Sequence, residues 1–383
     1  MVAVSKGCDF HNYFCSIEDP RVAGRRVHGL LDIVFLCVAG TLAGCEGPTD
    51  IAEFARQKLS WCRRFVPLRN GVPSHDTIGR VIALLKPGQF QRAFLDWVLS
   101  FTAAQDALNG PQFVSIDGKT LRGSHGANDR ENPLHLVSAW ASAQGLTLGQ
   151  VAVDDQSNEI TAIPKLLEML ELKGAIVSID AMGCQREIAA QIVAGEGDFV
   201  LAVKNNQPQL VAAISAFFLQ RYEHNDFAAQ GCRQYHTREK SRGRIEERFY
   251  LLAPLPETMY QFQPDWPDLC SIGQVVNLTT VNGKQTSKVR HYISSRAVRV
   301  KEFATAVRRH WSIESMHWIL DVVFREDDSR LRNGYVAENF GLLRKFALSL
   351  LKQDTSPGSL KGKRKRAAWN TDFLESLLFS SAV

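Results

Sequence analysis

Two aspartates each follow a strongly apolar segment of the chain. Asp117 follows Phe113-Val-Ser-Ile, and Asp180 follows Ala175-Ile-Val-Ser-Ile. Burying an unpaired carboxylate would cost several kcal/mol, and α/β folds bind ligands where strands end at the carboxyl edge of the sheet. Two such acids on neighbouring strands would suit a divalent cation such as Mg²⁺, which prefers oxygen ligands. For either acid alone, a turn cap is the alternative, because Asp before Gly, as in Asp117-Gly118, is common in turns.

A third acid is needed to complete a two-metal site for phosphoryl transfer, and Glu314 is the candidate. On a helix, His310, Glu314, His317 and Asp321 fall in one stripe about 60° wide. The alternatives for this polar stripe are the solvated face of an amphipathic helix and a zinc site. The segment lacks the H-E-x-x-H spacing of helical zinc sites.

Length and composition indicate a folded chain of two or three domains. It has 383 residues, of which 45% are hydrophobic. No apolar run reaches the ~18–20 residues of a membrane span, and the N-terminus lacks a basic-then-apolar signal segment. The eight cysteines form no C-x-x-C pair, so neither a zinc ribbon nor a disulfide scaffold is indicated. We therefore expect a cytoplasmic protein with no membrane partner.

The positive charge is concentrated near the C-terminus. The net charge is only +5, but residues 286–366 hold 18 Lys and Arg against 8 Asp and Glu, whereas the rest of the chain is net acidic. This asymmetry favours a polyanionic partner, nucleic acid first. A basic surface with a solvated tail is the alternative.

The elements that must position these acids follow from hydrophobic patterning. Residues 1–105 predict an all-helical N-terminal domain. Two short helices around Arg69-Asn-Gly-Val-Pro could form a helix-turn-helix that reads DNA ends, or simply packing helices. Residues 110–220 alternate strands with helices, which predicts an α/β core with a partly parallel sheet.

The second half of the chain predicts three further segments. Residues 221–300 have strand character broken by prolines, which indicates a β-rich insertion. Residues 301–352 predict two long helices, 301–324 and 336–352, the first of which carries Glu314. Residues 353–383 begin with a linker and contain the run Lys361-Gly-Lys-Arg-Lys-Arg, so we expect a basic C-terminal tail.

A series of sequence blocks covers nearly the whole chain and resembles the DDE-type transposases of bacterial insertion sequences, specifically the ISAs branch with the H-repeat-associated proteins. The blocks that contain Asp117 and Asp180 are the specific ones, whereas the basic run is not. In family order, the blocks are Gly71-Val-Pro-Ser-His-Asp-Thr, Ser115-Ile-Asp-Gly-Lys-Thr-Leu-Arg-Gly-Ser, His135-Leu-Val-Ser-Ala-Trp, Lys165-Leu-Leu-Glu, Ser178-Ile-Asp-Ala-Met-Gly-Cys-Gln, Val203-Lys-Asn-Asn-Gln-Pro, His310-Trp-Ser-Ile-Glu, His317-Trp-Ile-Leu-Asp-Val-Val-Phe-Arg-Glu-Asp and Lys363-Arg-Lys-Arg-Ala-Ala-Trp.

The resemblance implies an RNase H-like catalytic core interrupted by a β-rich insertion before the acidic helix. It assigns the catalytic and metal-holding acids to Asp117, Asp180 and Glu314, the residues already singled out above. Asp117 would bridge two Mg²⁺ or Mn²⁺ ions, and the other two acids would each hold one. The implied activity is metal-dependent cleavage and joining of transposon-end DNA to target DNA. A homodimer and a nucleoid-associated location in the cytoplasm are implied too.

Several polar residues are candidates for contacts to the DNA backbone, with structural roles equally open. One group lies beside the acid-bearing strands, His310 lies one helical turn before Glu314 where related transposases often have an arginine, and the last group is the basic run. In full, they are Lys119, Arg122, Lys204, Asn206, Gln207, His310, Lys363, Arg364, Lys365 and Arg366.

One departure from the family pattern lies after the third acid. The family usually has one more residue between this acid and the following His-Trp pair than stands between Glu314 and His317. Deleting one residue from a helix rotates the downstream residues by about 100° and shifts them by about 1.5 Å. A local change of helical bulge could absorb this. The alternative is a catalytically inactive DNA-binding remnant of such a transposase.

Overall fold

Nine strands form one mixed sheet in the part of the chain that the computed structural model describes, which is residues 10–102, 111–125, 132–154, 157–228, 231–241 and 243–379. The order across the sheet is β3-β2-β1-β4-β5-β9-β8-β7-β6. The strands are β1 (Phe113–Thr120), β2 (His135–Ala141), β3 (Leu146–Ala152), β4 (Ile176–Ile179), β5 (Asp198–Val203), β6 (Arg233–Ser241), β7 (Arg244–Pro254), β8 (Ser271–Val281) and β9 (Lys284–Ser294).

The first five strands form the predicted α/β core. β1 pairs antiparallel with β2, which pairs antiparallel with β3, so these strands make the expected hairpin. β1, β4 and β5 run parallel, with Ile116 opposite Ile179 as the last pair between β1 and β4. A mixed α/β fold with a partly parallel sheet is therefore confirmed, and Asp117 and Asp180 both come next after that last pair.

The strands of the predicted insertion continue the same sheet. β9 pairs antiparallel with β5, and β8, β7 and β6 follow by antiparallel pairing. The free edge of β5 would otherwise expose unpaired backbone groups, and β9 covers it. The β-rich segment thus lies beside the acid-bearing strands.

Helices cover the sheet and build the N-terminal region. Before the sheet come α1 (Leu30–Leu42), α2 (Pro48–Gln57), α3 (Leu59–Cys62), α4 (His75–Leu84) and α5 (Pro87–Thr102). Between the strands lie α6 (Glu159–Leu167), α7 (Arg186–Ala194) and α8 (Pro208–His224). After the sheet come α9 (Val300–Phe324), α10 (Val336–Gln353), α11 (Leu360–Trp369) and α12 (Thr371–Phe379).

The two long C-terminal helices agree with their predicted bounds. α9 runs unbroken through Glu314 and His317 and packs on β1 and β4. α10 is buried along most of its length, because it packs between the N-terminal helices and β3. The N-terminal helices and the sheet share one hydrophobic core through this helix.

Residues 353–383 differ from the expected basic tail as far as residue 379, where the described part ends. They form α11 and α12, and the side chains of Lys363 and Arg364 are buried. The Arg364 guanidinium donates to the carbonyl of Thr41 at the C-terminal end of α1 (3.2 Å) and lies over the Phe324 ring (4.2 Å). Helix C-terminal carbonyls attract cations. The sequence predicted a solvated Arg364, whereas in the fold this side chain is buried and links α11 to the end of α1.

The helix-turn-helix alternative does not match the N-terminal region. Residues 63–74 separate α3 from α4, whereas the turn of a DNA-reading helix pair has about 3–4 residues. The Ser74 side chain caps α4 by accepting from the backbone N–H of Thr77 (3.2 Å). α4 packs against α2 and α10, and α3 packs against α2, so the two helices do not form a compact pair.

No helix in the described ranges is both long enough and apolar enough to cross a lipid bilayer.

Candidate active site

Asp117 lies in β1, partly buried at the edge where β4 ends. Its side chain is 23% exposed. Burial first, and then the negative charges of Glu159, Asp180 and Glu314 in that order, together raise the pKa of Asp117 to about 7. Three acids from separate elements thus act on Asp117 as like charges, whose repulsion a cation would offset.

His317 lies against Asp117 from the facing helix α9. Its Nδ1 is 3.6 Å from Asp117 Oδ2. Burial first, and then the positive charges of Lys345 and Lys119, together lower the pKa of His317 to about 3, so this imidazole is neutral near pH 7. Its Nε2 is buried and has no hydrogen-bond partner among the described residues.

Asp180 follows β4 directly and shapes the loop after it. Its Oδ1 accepts the backbone N–H groups of Met182 (2.9 Å) and Gly183 (3.4 Å), an Asx turn of the kind expected of Asp at a strand end. One carboxylate oxygen serves the turn. The turn-capping role, one of the two alternatives that the sequence left open, is therefore present at Asp180.

Glu314 is exposed on α9 and faces a groove of about 670 Å³ between that helix and strands β7 to β9. Burial raises the pKa of Glu314, and the nearby Arg290 opposes this rise. The Arg290 guanidinium lies over the Trp311 ring at 4.6 Å and borders a second cleft, of about 580 Å³, that contains Asp180 and Lys204. Arg290 on β9 therefore stands between two of the three predicted catalytic acids.

The structure corrects the expectation that Lys119 reaches DNA. Its buried ammonium lies 2.7 Å from Asp321, 3.2 Å from Glu326 and 3.0 Å from Asp327. These acids follow Glu314 on α9 and in the turn after it, so Lys119 ties the end of the acidic helix to β1. The group, Lys119 with these three acids, is called the Lys119 clasp below.

Asn206 and Gln207 hold the loop that follows Asp180. The Asn206 amide donates to the carbonyl of Ala181 (2.6 Å), and the Gln207 amide donates to that of Cys184 (3.1 Å). Their donor groups are therefore committed within the fold. Lys204, next to them, is exposed at the mouth of the Asp180 cleft.

His310 also faces the protein rather than the groove. Its Nδ1 is 3.3 Å from Ser178 Oγ in β4, and burial lowers its pKa. The neutral form is favoured, so the structure offers no cation here for a DNA phosphate.

The remaining predicted DNA contacts divide by exposure. The Arg122 side chain is 83% exposed, with its Nε 3.5 Å from Asp327. Lys365 and Arg366 are exposed on α11. Lys363 pairs with Asp354 (2.9 Å), and Arg364 is bound to the end of α1 as described above. The exposed members are available to a phosphate backbone, and the buried members are not.

Four residues at the site were not among the predicted site residues: His135, Glu159, Arg290 and His317. His135 and His317 stand in recognised sequence blocks, which was a signal for their importance but not for their position. Glu159 and Arg290 are ordinary charged residues in a helix start and a strand, and nothing local in the sequence marks them. Their placement results from sheet pairing and helix packing.

The donor set suits a magnesium-type cation without forming a closed cage. No cluster of three or more His, Cys, Asp or Glu residues with metal-binding geometry occurs in the described ranges. Mg²⁺ keeps several waters and takes one or two protein carboxylates together with substrate phosphates. The carboxylates near Asp117 are donors of the type that such an ion takes, although the described residues do not gather three of them into one cluster.

Comparison with known proteins identifies the family of the chain. The family profile described as "Transposase DDE domain" matches residues 108–350, and the profile "DDE_Tnp_1-associated" matches residues 11–98. The chain belongs to the DDE transposase family. Residues 108–350 include the sheet and helices α6 to α9, so the matched domain contains all three predicted acids of this DDE-type insertion-sequence transposase.

Relatives of this transposase are known from Escherichia coli. The "H repeat-associated putative transposase YhhI" of strain K12 is 36% identical over 377 residues, covering 96% of this chain and 97% of that protein. The "Putative transposase YncI" of O157:H7 is 37% identical over 374 residues, covering 96% and 94%. The "Inactive transposase YbfQ" of strain K12 is 38% identical over 65 residues, covering 17% of this chain and 77% of that protein.

Proposed function

We propose that this chain is an active transposase that cleaves DNA at insertion-sequence ends and transfers the cut strand to target DNA. The observation that carries the proposal is the carboxylate of Asp117, whose pKa is raised to about 7 by burial and by surrounding acids that include Asp180 and Glu314. A bound cation would offset the repulsion that these like charges exert on Asp117.

The proposed cation ligands are Asp117, Asp180 and Glu314, and Mg²⁺ or Mn²⁺ is the proposed ion. Divalent ions would activate a water or a 3′-hydroxyl for in-line attack on phosphorus and stabilise the leaving oxygen. Asp117 on β1 would lie centrally, with Asp180 beside it and Glu314 opposite on α9. Because His317 is neutral, it places no positive charge beside Asp117 that would compete with the cation.

An RNase H-like core is the proposed architecture behind these roles. Supporting it are the antiparallel β1–β2–β3 meander, the parallel strands β4 and β5, and an acid at the β1 and β4 positions that face α9. Strands β6 to β9 would then be the insertion, which extends the core sheet toward the groove beside Glu314.

The groove beside Glu314 is the proposed path of the DNA strand. Basic residues line it next to two tryptophans, and the Trp318 side chain is 61% exposed. Cations neutralise phosphates, and exposed aromatic faces accept unstacked bases. The basic lining comprises Arg244, Arg248, Lys288, Arg290 and Arg308.

The partners proposed for this reaction are transposon-end DNA, target DNA and a second copy of the chain. Two DNA ends must be brought together for transposition, which a homodimer would do. The proposed location is the bacterial cytoplasm, at the nucleoid when bound to DNA.

A strand-cleavage assay on the element's own terminal repeats tests the proposal. With Mg²⁺ or Mn²⁺ the purified protein is expected to nick the ends, and EDTA or Asp117→Asn is expected to abolish nicking. Asp154→Asn is the matched control, because this aspartate is 70% exposed and pairs only with Lys165 on the surface.

Binding without cleavage would favour the alternative, an inactive remnant. In that case, salt-sensitive binding to the ends would be unchanged by Asp117→Asn, and no metal would support nicking. Equal cleavage in EDTA would refute the metal-dependent mechanism.

A further inference from the structure

Glu159 is held in place by a chain of hydrogen bonds that no predicted catalytic residue takes part in. Its Oε1 lies 2.7 Å from His135 Nε2, and His135 Nδ1 lies 2.8 Å from Thr120 Oγ1. Because an ionised carboxylate only accepts, the imidazole donates from Nε2 to Glu159, and its Nδ1 can accept from the threonine hydroxyl. Glu159 is also the first residue of α6, where the helix dipole favours a negative charge.

The Glu159 carboxylate lies directly on the backbone beside Asp117. A Cβ atom at Gly118 would stand 2.2 Å from Glu159 Oε1 and 2.4 Å from His135 Nε2. Real Cβ contacts are never this short, so a side chain at position 118 would push the carboxylate away. This close approach accounts for glycine at the position after Asp117.

Glu159 and Glu314 approach Asp117 from opposite faces of the sheet. Successive strand residues alternate between faces, so Gly118 faces α6, whereas Asp117 faces α9 together with Ser115, whose hydroxyl donates to the Arg309 carbonyl of α9 (3.3 Å). The pairing of β1 with β4 stops at Ile116, which leaves the edge of β1 open at Asp117. Acids on either face can therefore act on a cation at this edge.

We infer that Glu159, positioned by His135, is a fourth acid of the catalytic centre and strengthens the binding of the divalent cation at Asp117. This inference rests on the proposed function, since it assumes that Asp117 holds the cation. The Glu159 carboxylate lies against the backbone of Gly118, the residue that follows Asp117 in β1. His135 thereby explains why the block His135-Leu-Val-Ser-Ala-Trp belongs with the catalytic blocks, although it contains no acid.

Manganese binding to the DNA-free, full-length protein tests the inference without relying on activity. Free Mn²⁺ is measured by electron paramagnetic resonance during titration. Glu159→Gln keeps an oxygen that accepts from His135 and removes only the charge, so it is expected to weaken Mn²⁺ binding about tenfold, the usual scale for groups that support metal ligands. Glu168→Gln is the matched control, because this glutamate is exposed at the far end of the same helix.

His135→Leu separates the positioning role from the charge. It removes the donor that holds Glu159 but leaves the carboxylate, so a smaller loss of Mn²⁺ affinity is expected than for Glu159→Gln. Unchanged affinity in His135→Leu would refute the positioning role. The unfolding temperature of each variant without metal shows whether the fold is intact.

Asp117→Asn distinguishes failure of the inference from failure of the proposed function. If Asp117→Asn weakens Mn²⁺ binding and Glu159→Gln leaves it equal to Glu168→Gln, the inference is wrong and the metal centre stands. If Asp117→Asn leaves Mn²⁺ binding unchanged, the metal centre itself is wrong.

Discussion

Neutralising Asp117 should stabilise the protein when no divalent cation is present. In the folded chain the pKa of Asp117 is about 7, compared with 3.8 for an ordinary aspartate. At pH values between 3.8 and about 7, Asp117 keeps its proton in the folded protein but has lost it in the unfolded chain, so folding becomes less favourable as pH rises. Below the unfolded value there is no penalty, and above pH 7 the penalty is complete.

The size of this penalty is set by the two pKa values. A tenfold change in proton affinity is worth about 1.4 kcal/mol. The raised pKa therefore costs the fold roughly 1–2 kcal/mol at pH 5, where the folded carboxyl stays protonated, and roughly 4 kcal/mol at pH 8, where it is ionised. Asp117→Asn removes the titrating group and keeps an oxygen of similar shape, so it should be more stable than the wild type by these amounts.

Thermal unfolding in EDTA at pH 5 and pH 8 measures the effect. With an unfolding entropy of about 2.1 cal/mol/K per residue, 4 kcal/mol corresponds to an increase of roughly 5 °C in Tm at pH 8. Asp154→Asn, at a surface ion pair, should shift Tm little at either pH, since such pairs contribute at most about 1 kcal/mol. Added Mg²⁺ should raise the Tm of the wild type and not that of Asp117→Asn.

The reasoning would be refuted by an Asp117→Asn variant that is less stable than the wild type at pH 8 without metal. It would also fail if the difference between the two proteins did not grow from pH 5 to pH 8, because the growth is what the raised pKa requires. An equal Mg²⁺ effect on both proteins would place the cation away from Asp117.

Three further predictions concern the groups around this site. Lys119→Met should lower the free energy of unfolding by about 3–5 kcal/mol in urea denaturation, because it removes the ion-pair partner of the fully buried Glu326. Lys165→Met, the control at a surface ion pair, should lower it by less than about 1 kcal/mol. Equal losses in the two variants would disprove the Lys119 clasp. Arg364→Met should destabilise the fold by a few kcal/mol, because it leaves carbonyl groups at the end of α1 without their hydrogen-bond donor. Lys365→Met, the control at an exposed position, should leave the stability unchanged. An equally unchanged stability in Arg364→Met would mean that the fold does not depend on these hydrogen bonds. Arg290→Ala should weaken binding to DNA ends and reduce the slope of log affinity against log salt by about 1; an unchanged slope would place the DNA strand away from the groove.

The local sequence was sufficient for most of the elements, and it supplied the three acids that the proposed function uses. Apolar segments that end in Asp117 and Asp180 identified β1 and β4, and helical spacing gave α9 and α10 within a residue or so of their bounds. These features depend on neighbours a few residues apart, which periodicity records directly. The family of the chain was recognisable for the same reason, because its blocks are short and contiguous.

The interaction partners of individual charged side chains could not be predicted from neighbouring residues. Lys119 and Asp327 are 208 positions apart in the chain and 3.0 Å apart in the fold, and Arg364 contacts a helix end more than three hundred residues earlier. A basic residue has the same local pattern whether it binds phosphate or a carboxylate. Its partner is decided by which elements pack together.

What the sequence alone determined about this protein was its repertoire of strands, helices and carboxylates, together with the family that such blocks identify. Only the tertiary structure decided that the β-rich segment extends the core sheet, that the basic run forms a packed helix, that Glu159 lies against the backbone beside Asp117, and that Arg290 lies between Glu314 and the cleft of Asp180. The physical reason is that desolvation and charge coupling act through space. They depend on which side chains share a buried edge, and that edge exists only after strands and helices from the whole chain have packed.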